Sequence, residues 1–202
     1  MNRSLLPLAF VALLGSSLIA GAPHATAAEI PSRTPLIPLP TGGEYAVVVP
    51  GSSAPDFAYE TLTDTTARLR DLRAQGHVLL VFGADDSDLR RLNREGSRLT
   101  RLGVVPVAVL DWRVGACRDV VRRLSLTFPV VPDPQRTIGA QYNVLDPNTR
   151  HDSRAWFVVD RGGRVRGLER FEHPGESWEN VAATALGLPL ADSPVPASTP
   201  AK

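Results

Sequence analysis

Cysteine is all but missing from this chain: among 202 residues there is one, Cys117. A single cysteine excludes an internal disulfide and any zinc site built on paired thiolates. It leaves a free thiol or a bridge to another molecule. Lysine is equally scarce, since every basic residue except Lys202 is arginine. With 22 basic and 21 acidic residues, no net field attracts nucleic acid or an anionic membrane. Aromatics make up 6% of the chain and do not alternate with basic runs, which excludes the stacking platform of a single-strand binder. No phosphate-cradling glycine motif occurs, and no internal repeat.

What is present begins with a targeting pattern. Asn2-Arg3 is a short positive start, Leu5 to Ala20 an apolar stretch, and Ala25-Thr26-Ala27 a small-residue cleavage site before Ala28. The stretch is interrupted by Pro7, Gly15, Ser16 and Ser17, so it is a poor membrane span. No cysteine follows Leu18-Ile19-Ala20-Gly21, which argues against a lipoprotein. The expectation is a signal peptide over 1–27 and an exported chain, periplasmic, extracellular or in the cell envelope. A proline-rich linker over 28–44 follows, then one domain over 45–188 and a disordered tail over 189–202.

Within the domain, strand and helix patterns alternate. Tyr45 to Val49 and Phe57 to Leu62 read as short strands, and Arg68 to Ala74 as a helical turn. His77 to Phe82 is a continuous apolar run of the kind buried on both faces of a sheet. From Asp86 to Leu102, Leu89, Leu92, Leu99 and Leu102 fall at helical spacing, with arginines opposite. Val104 to Leu110 reads as a second buried strand and Gly115 to Leu124 as a helix. Phe128 to Val131 is extended, and Thr137 to Tyr142 forms a turn or two of helix. Ala155 to Val159 and Arg164 to Phe171 pair as a hairpin across Asp160-Arg161-Gly162-Gly163, and Ser177 caps a last helix to Leu186. The order, βαβ and then ββα, predicts an α/β sandwich around a mixed sheet.

Five local motifs, in order, resemble the peroxiredoxin-like branch of the thioredoxin fold, the redoxin or alkyl hydroperoxide reductase/thiol-specific antioxidant family. Gly51-Ser52-Ser53-Ala54-Pro55-Asp56-Phe57 is similar to its G-x-x-A-P-D-F entry, and Leu69-Arg70-Asp71-Leu72 to its L-x-D-L element. Val78 to Phe82 resembles the strand before its active-site loop. Leu126 to Asp133 resembles g-L-x-F-P-v-l-x-D, and Arg154 to Val165 resembles R-x-x-F-v-I-D-x-x-G-x-i. The resemblance implies a thioredoxin-like three-layer sandwich with a peroxiredoxin-like N-terminal extension, and antioxidant or thiol oxidoreductase activity. It implies no cofactor.

The loop that should carry the thiol departs from the pattern. In the family's P-x-x-x-T-x-x-C, proline falls at Ala84, threonine at Asp88 and the peroxidatic cysteine near Arg91. In the thioredoxin C-x-x-C, the sulfurs fall at Ser87 and Arg90. Neither serine nor arginine supplies a thiolate. The expectation is a degenerate redoxin that binds a protein partner or small ligand at the old active-site edge, lined by Ser87, Asp88, Arg91 and Arg154. The resemblance assigns Arg154 to thiolate activation and peroxide binding.

The rival is a one-cysteine peroxidase or redox sensor using Cys117 with Arg154 and an external thiol as reductant. Cys117 stands near a helix N-terminus with Arg113 and Arg118 close by, so a thiolate there would be stabilised by dipole and charge. The alternative for Cys117 is a small buried residue packed as an apolar group. In the acidic run Asp85-Asp86-Ser87-Asp88, either Asp86 or Ser87 is expected to cap the helix. His173 reads as a loop residue, and His151 with Cys117 alone makes no copper site. A third reading is a structural domain without a cleft.

Overall fold

The computed structural model describes residues 46–190. The leader over 1–27, the linker over 28–44, residue 45 and residues 191–202 of the tail lie outside the described residues. The elements in order are β1 (Ala58–Glu60), β2 (Thr66–Arg68), α1 (Leu69–Gln75), β3 (His77–Phe82), α2 (Asp86–Arg101) and β4 (Val104–Leu110). There follow α3 (Val114–Leu124), β5 (Val130–Pro132), α4 (Thr137–Gln141), β6 (Ala155–Val159), β7 (Val165–Arg170) and α5 (Trp178–Leu186).

The main sheet has five strands in the order β5-β4-β3-β6-β7. β3 pairs parallel with β4, and β4 with β5, whereas β6 pairs antiparallel with both β3 and β7. The mixed sheet follows from the connections. Helices α2 and α3 carry the chain back between parallel strands, while Asp160 to Gly163 turns it directly from β6 towards β7.

Successive side chains of β3 alternate between two cores. Leu79 and Val81 join Leu89, Leu92, Leu99, Val120 and Trp178 on the α2–α3–α5 side. Val78, Leu80 and Phe82 join Leu69, Leu72, Ile138, Tyr142 and Phe157 on the α1–α4 side. A strand covered on both faces has no polar side, which is why its sequence is apolar from Val78 to Phe82. Tyr142 ties the second core together: its ring lies 5.0 Å from Phe157 and 5.4 Å from Phe82, and its hydroxyl donates to the Pro55 carbonyl at 3.0 Å.

Three local expectations are corrected. Residues 46–49 form no strand, because Val48 spends its backbone on side chains, its N–H donating to Asn143 and its carbonyl accepting from Arg170. The expected strand at Phe57 to Leu62 shortens to β1 and pairs with β2, a partner its three-residue length hid from the sequence pattern. The cap of α2 is Asp85, one residue before the expected pair.

Candidate functional site

The carboxyl ends of β3 and β4 and the entry to β6 meet at one edge of the sheet, where open α/β folds place their ligands. Gly83 makes the meeting possible. Its φ is +58°, and a Cβ there would lie 2.8 Å from the backbone of Asp152 and Ser153. Only glycine combines that conformation with that approach.

Beyond Gly83 the acidic run folds onto the start of α2. The Asp85 carboxylate accepts from the N–H of Ser87 at 2.8 Å and of Asp88 at 3.0 Å, and Asp88 reciprocates by accepting from the Asp85 N–H at 3.1 Å. The Asp88 N–H and the Ser87 hydroxyl hold the Asp85 carboxyl down at about 2. Arg154 pairs with Asp85 and lies 3.3 Å from Asp88. His173 closes the network from the other side of the loop. Its Nε2 is 2.8 Å from the Phe82 carbonyl, and its Nδ1 is 3.1 Å from Asp88 Oδ2 without hydrogen-bond alignment. Arg154 therefore meets both carboxylates through one guanidinium nitrogen, Nη2, while its side chain stays 45% exposed.

Ser87 is exposed in the first turn of α2. Arg91 is not brought to this edge, which corrects its place in the expected lining. Its guanidinium donates to the carbonyls of Pro174 and Glu176, pairs with Glu95 at 3.3 Å and stacks 5.7 Å from Trp178. It fastens the loop before α5 to α2.

Cys117 is fully buried in the α2–α3–α5 core, with its Sγ 3.8 Å from the Trp112 carbonyl. Burial first, and the nearby Asp111 second, push the thiol up to about 11. The stabilising cations expected from the sequence are turned elsewhere: Arg118 donates to the Leu62 carbonyl at 2.7 Å and pairs with Asp64, and Arg113 is exposed. The packing alternative is the one these surroundings favour, because the apolar core penalises the charged form of sulfur.

Beside the loop lies a second cluster, whose members no local sequence pattern brings together. Asp111, just after β4, takes His151 Nδ1 at 2.6 Å and lies 3.5 Å from Arg136. Asp133, just after β5, is 4% exposed and accepts the Gly139 N–H at 2.9 Å. Asp152 presses both carboxylate oxygens into the interior with no hydrogen-bond partner. Burial and the Asp133 charge raise Asp152 to about 7, and burial raises Asp133 to about 6 despite its backbone hydrogen bonds. A signal for two of these was available, since Asp111 and Asp133 each follow directly on a strand at the binding edge.

Gly83, Ala84, Leu110, Asp111, Trp112, His151 and Asp152 enclose a cavity of about 180 Å³ at this edge. Larger hollows of about 350 and 440 Å³ lie beside Val48 and beside Phe128, and neither gathers a titratable cluster. Among the described residues, no three His, Cys, Asp or Glu side chains are disposed to hold a metal ion. Nor is any described helix long and apolar enough to cross a membrane.

Residues 50–168 match the model of the AhpC/TSA family. This chain belongs to that family. It is 27% identical over 134 residues to alkyl hydroperoxide reductase E of Mycobacterium tuberculosis, covering 62% of this chain and 87% of the relative. It is 30% identical over 131 residues to the thiol-disulfide oxidoreductase ResA of Geobacillus kaustophilus, covering 61% and 70%. Peroxidoxin BcpB of Mycobacterium tuberculosis superposes with a TM-score of 0.60 at 21% identity, covering 69% of this chain and 95% of that one. AhpC of Enterococcus faecalis superposes with a TM-score of 0.59 at 19% identity, covering 70% and 92%. The family fold is present, and the turn from β3 into α2 holds no cysteine.

Proposed function

We propose that this chain is an exported, redox-silent redoxin that uses the family's active-site edge to bind a small ligand or protein partner without thiol turnover. One observation carries the reading. The redox positions hold Ser87, Arg90 and Arg91, while the lone thiol is buried and raised to about 11. At pH 7 such a thiol is ionised in only about one molecule in ten thousand, against a few per cent for a free cysteine. Exchange and peroxide reduction both start from a thiolate. The cavity between Trp112, His151 and the Gly83 loop, walled by carboxylates and an imidazole, is the place for a ligand.

The test is peroxide consumption by the full chain with excess dithiothreitol, beside a Cys117→Ser variant. Both should match the uncatalysed rate, and a sulfenic-acid trap should leave Cys117 unlabelled while the chain is folded. Consumption above background that disappears in Cys117→Ser would instead establish a one-cysteine peroxidase. Export is tested separately, by fractionating the native host for a form that begins at Ala28.

A further inference from the structure

Residues 143–154 form a strap across the site edge. It is held at its ends by backbone hydrogen bonds, Ser153 N–H to the Val144 carbonyl at 2.8 Å and Asp146 N–H to the His151 carbonyl at 2.9 Å. Asn143 and Arg150 both take left-handed backbone, with φ of +57° and +59°, so the strap is bent at two non-glycine positions. Its inner side carries Asp152, whose two oxygens are shut away from solvent without a donor. That carboxyl is pressed so tightly against α4 that a Cβ on Gly139 would lie 2.0 Å from its Oδ1. The Gly139 N–H is already given to Asp133, so Asp152 and Asp133 converge on one residue with no hydrogen-bond donor left between them. The other charged groups facing Asp152 are Asp111 after β4, Arg136 before α4 and His151 on the strap itself. Arg136 and His151 both turn to Asp111, which leaves Asp152 without a dedicated cation.

A carboxylate in that position would be a buried, unpaired charge beside a second acid; a carboxylic acid would carry no charge there. The backbone of Asp152 and Ser153 also rests on Gly83, so the strap and the loop that walls the cavity are in direct contact.

We propose that the strap is a proton-latched gate: with Asp152 protonated it lies closed against α4, and ionisation of Asp152 beside Asp133 lifts it and opens the cavity wall formed by Asp152 and His151. The raised values of about 7 for Asp152 and about 6 for Asp133 set the working range near neutrality. The gate goes beyond the ligand-binding reading, and its test needs no ligand and no activity.

The experiment follows the amide resonances of Gly83, Val144 and Ser153, together with the Asp152 side-chain carbonyl carbon, in the full chain from pH 4.5 to about 8.5. All four should titrate together, with a midpoint between about 6 and 8. Asp152→Asn mimics the protonated form and should abolish the transition, leaving the strap closed throughout. Asp133→Asn removes the neighbouring charge and should lower the midpoint by about one pH unit. His151→Gln should keep the transition, because the latching proton is not on the imidazole. An amide transition that persists in Asp152→Asn, or is lost in His151→Gln, would overturn the gate. Should Asp152→Asn fail to fold, the wild-type Asp152 carbon still decides: titration below about pH 5, the ordinary carboxylate range, overturns it.

Discussion

At Cys117 the sulfur packs as an apolar atom. It touches the core formed by Val120, Leu124 and Trp178, and its weak donor points at the Trp112 carbonyl from 3.8 Å. Cys117→Ala should therefore cost about 1–2 kcal/mol, the loss of one buried heavy atom plus a small cavity. Denaturant unfolding measures it. Reaction with a thiol-specific disulfide reagent should be slow in buffer and should accelerate in parallel with the unfolded fraction as urea is added. Labelling at the native-state rate of a free thiol would show that the side chain opens to solvent by local motion, and the burial argument would fail. His173 makes the complementary point about polar residues. Its ring is 3% exposed and is fixed between a carbonyl and a carboxylate, so it organises the Asp85–Asp88 turn.

The first turn of α2 shows what an element gains from carboxylates at its start. Asp85 both caps the helix and anchors Arg154. Asp85→Asn keeps an acceptor for the Ser87 and Asp88 N–H groups and loses the ion pair, so it should cost under about 1 kcal/mol, as an exposed pair does. Asp85→Ala loses the cap as well and should cost about 1–2 kcal/mol. Equal losses in thermal melts of the two variants would mean that the cap contributes nothing.

The helix itself was legible in the sequence because Leu89, Leu92 and Leu99 mark its buried face, and β3 and β4 because each carries a continuous apolar run. The cap was off by one because Asp85, Asp86, Ser87 and Asp88 are all competent caps, and only the long-range pairing to Arg154 and the contact at Gly83 select among them. The β1–β2 hairpin was missed because Thr66-Ala67-Arg68 is too short and too exposed to carry a period. Asp111, Asp133, Asp152 and His173 come from four separate connections, and no local spacing records that the fold brings them to one edge.

For the whole molecule, the acidic groups pull stability in opposite directions along the pH axis. Asp85 is held at about 2, below its value in the unfolded chain, so its contribution is present above pH ~4 and is lost as pH falls through 2. Asp133 and Asp152 are raised to about 6 and about 7. Between pH ~4 and those values the folded chain holds protons that the unfolded chain has released, so stability falls as pH rises and the fall is complete above about 7. The melting temperature should therefore be highest near pH 4–5, drop in more acidic buffer, and decline again towards pH 8.

The size of the neutral-side decline separates a rigid fold from a gated one. If Asp152 stays buried when it ionises, its raised value alone corresponds to roughly 3–4 kcal/mol lost between pH 4 and 8. A strap that lifts returns the carboxylate to water, and the loss is capped at the cost of breaking the strap's contacts. Those are the Leu145–Asp152 bridge, the Val144–Ser153 hydrogen bond and the contact with Gly83. Chemical denaturation at pH 5 and pH 8 should then give a difference well short of 3 kcal/mol and a smaller denaturant dependence at pH 8, because an opened strap leaves less surface to expose on unfolding. The full loss with an unchanged denaturant dependence would instead describe a closed strap carrying its buried charge.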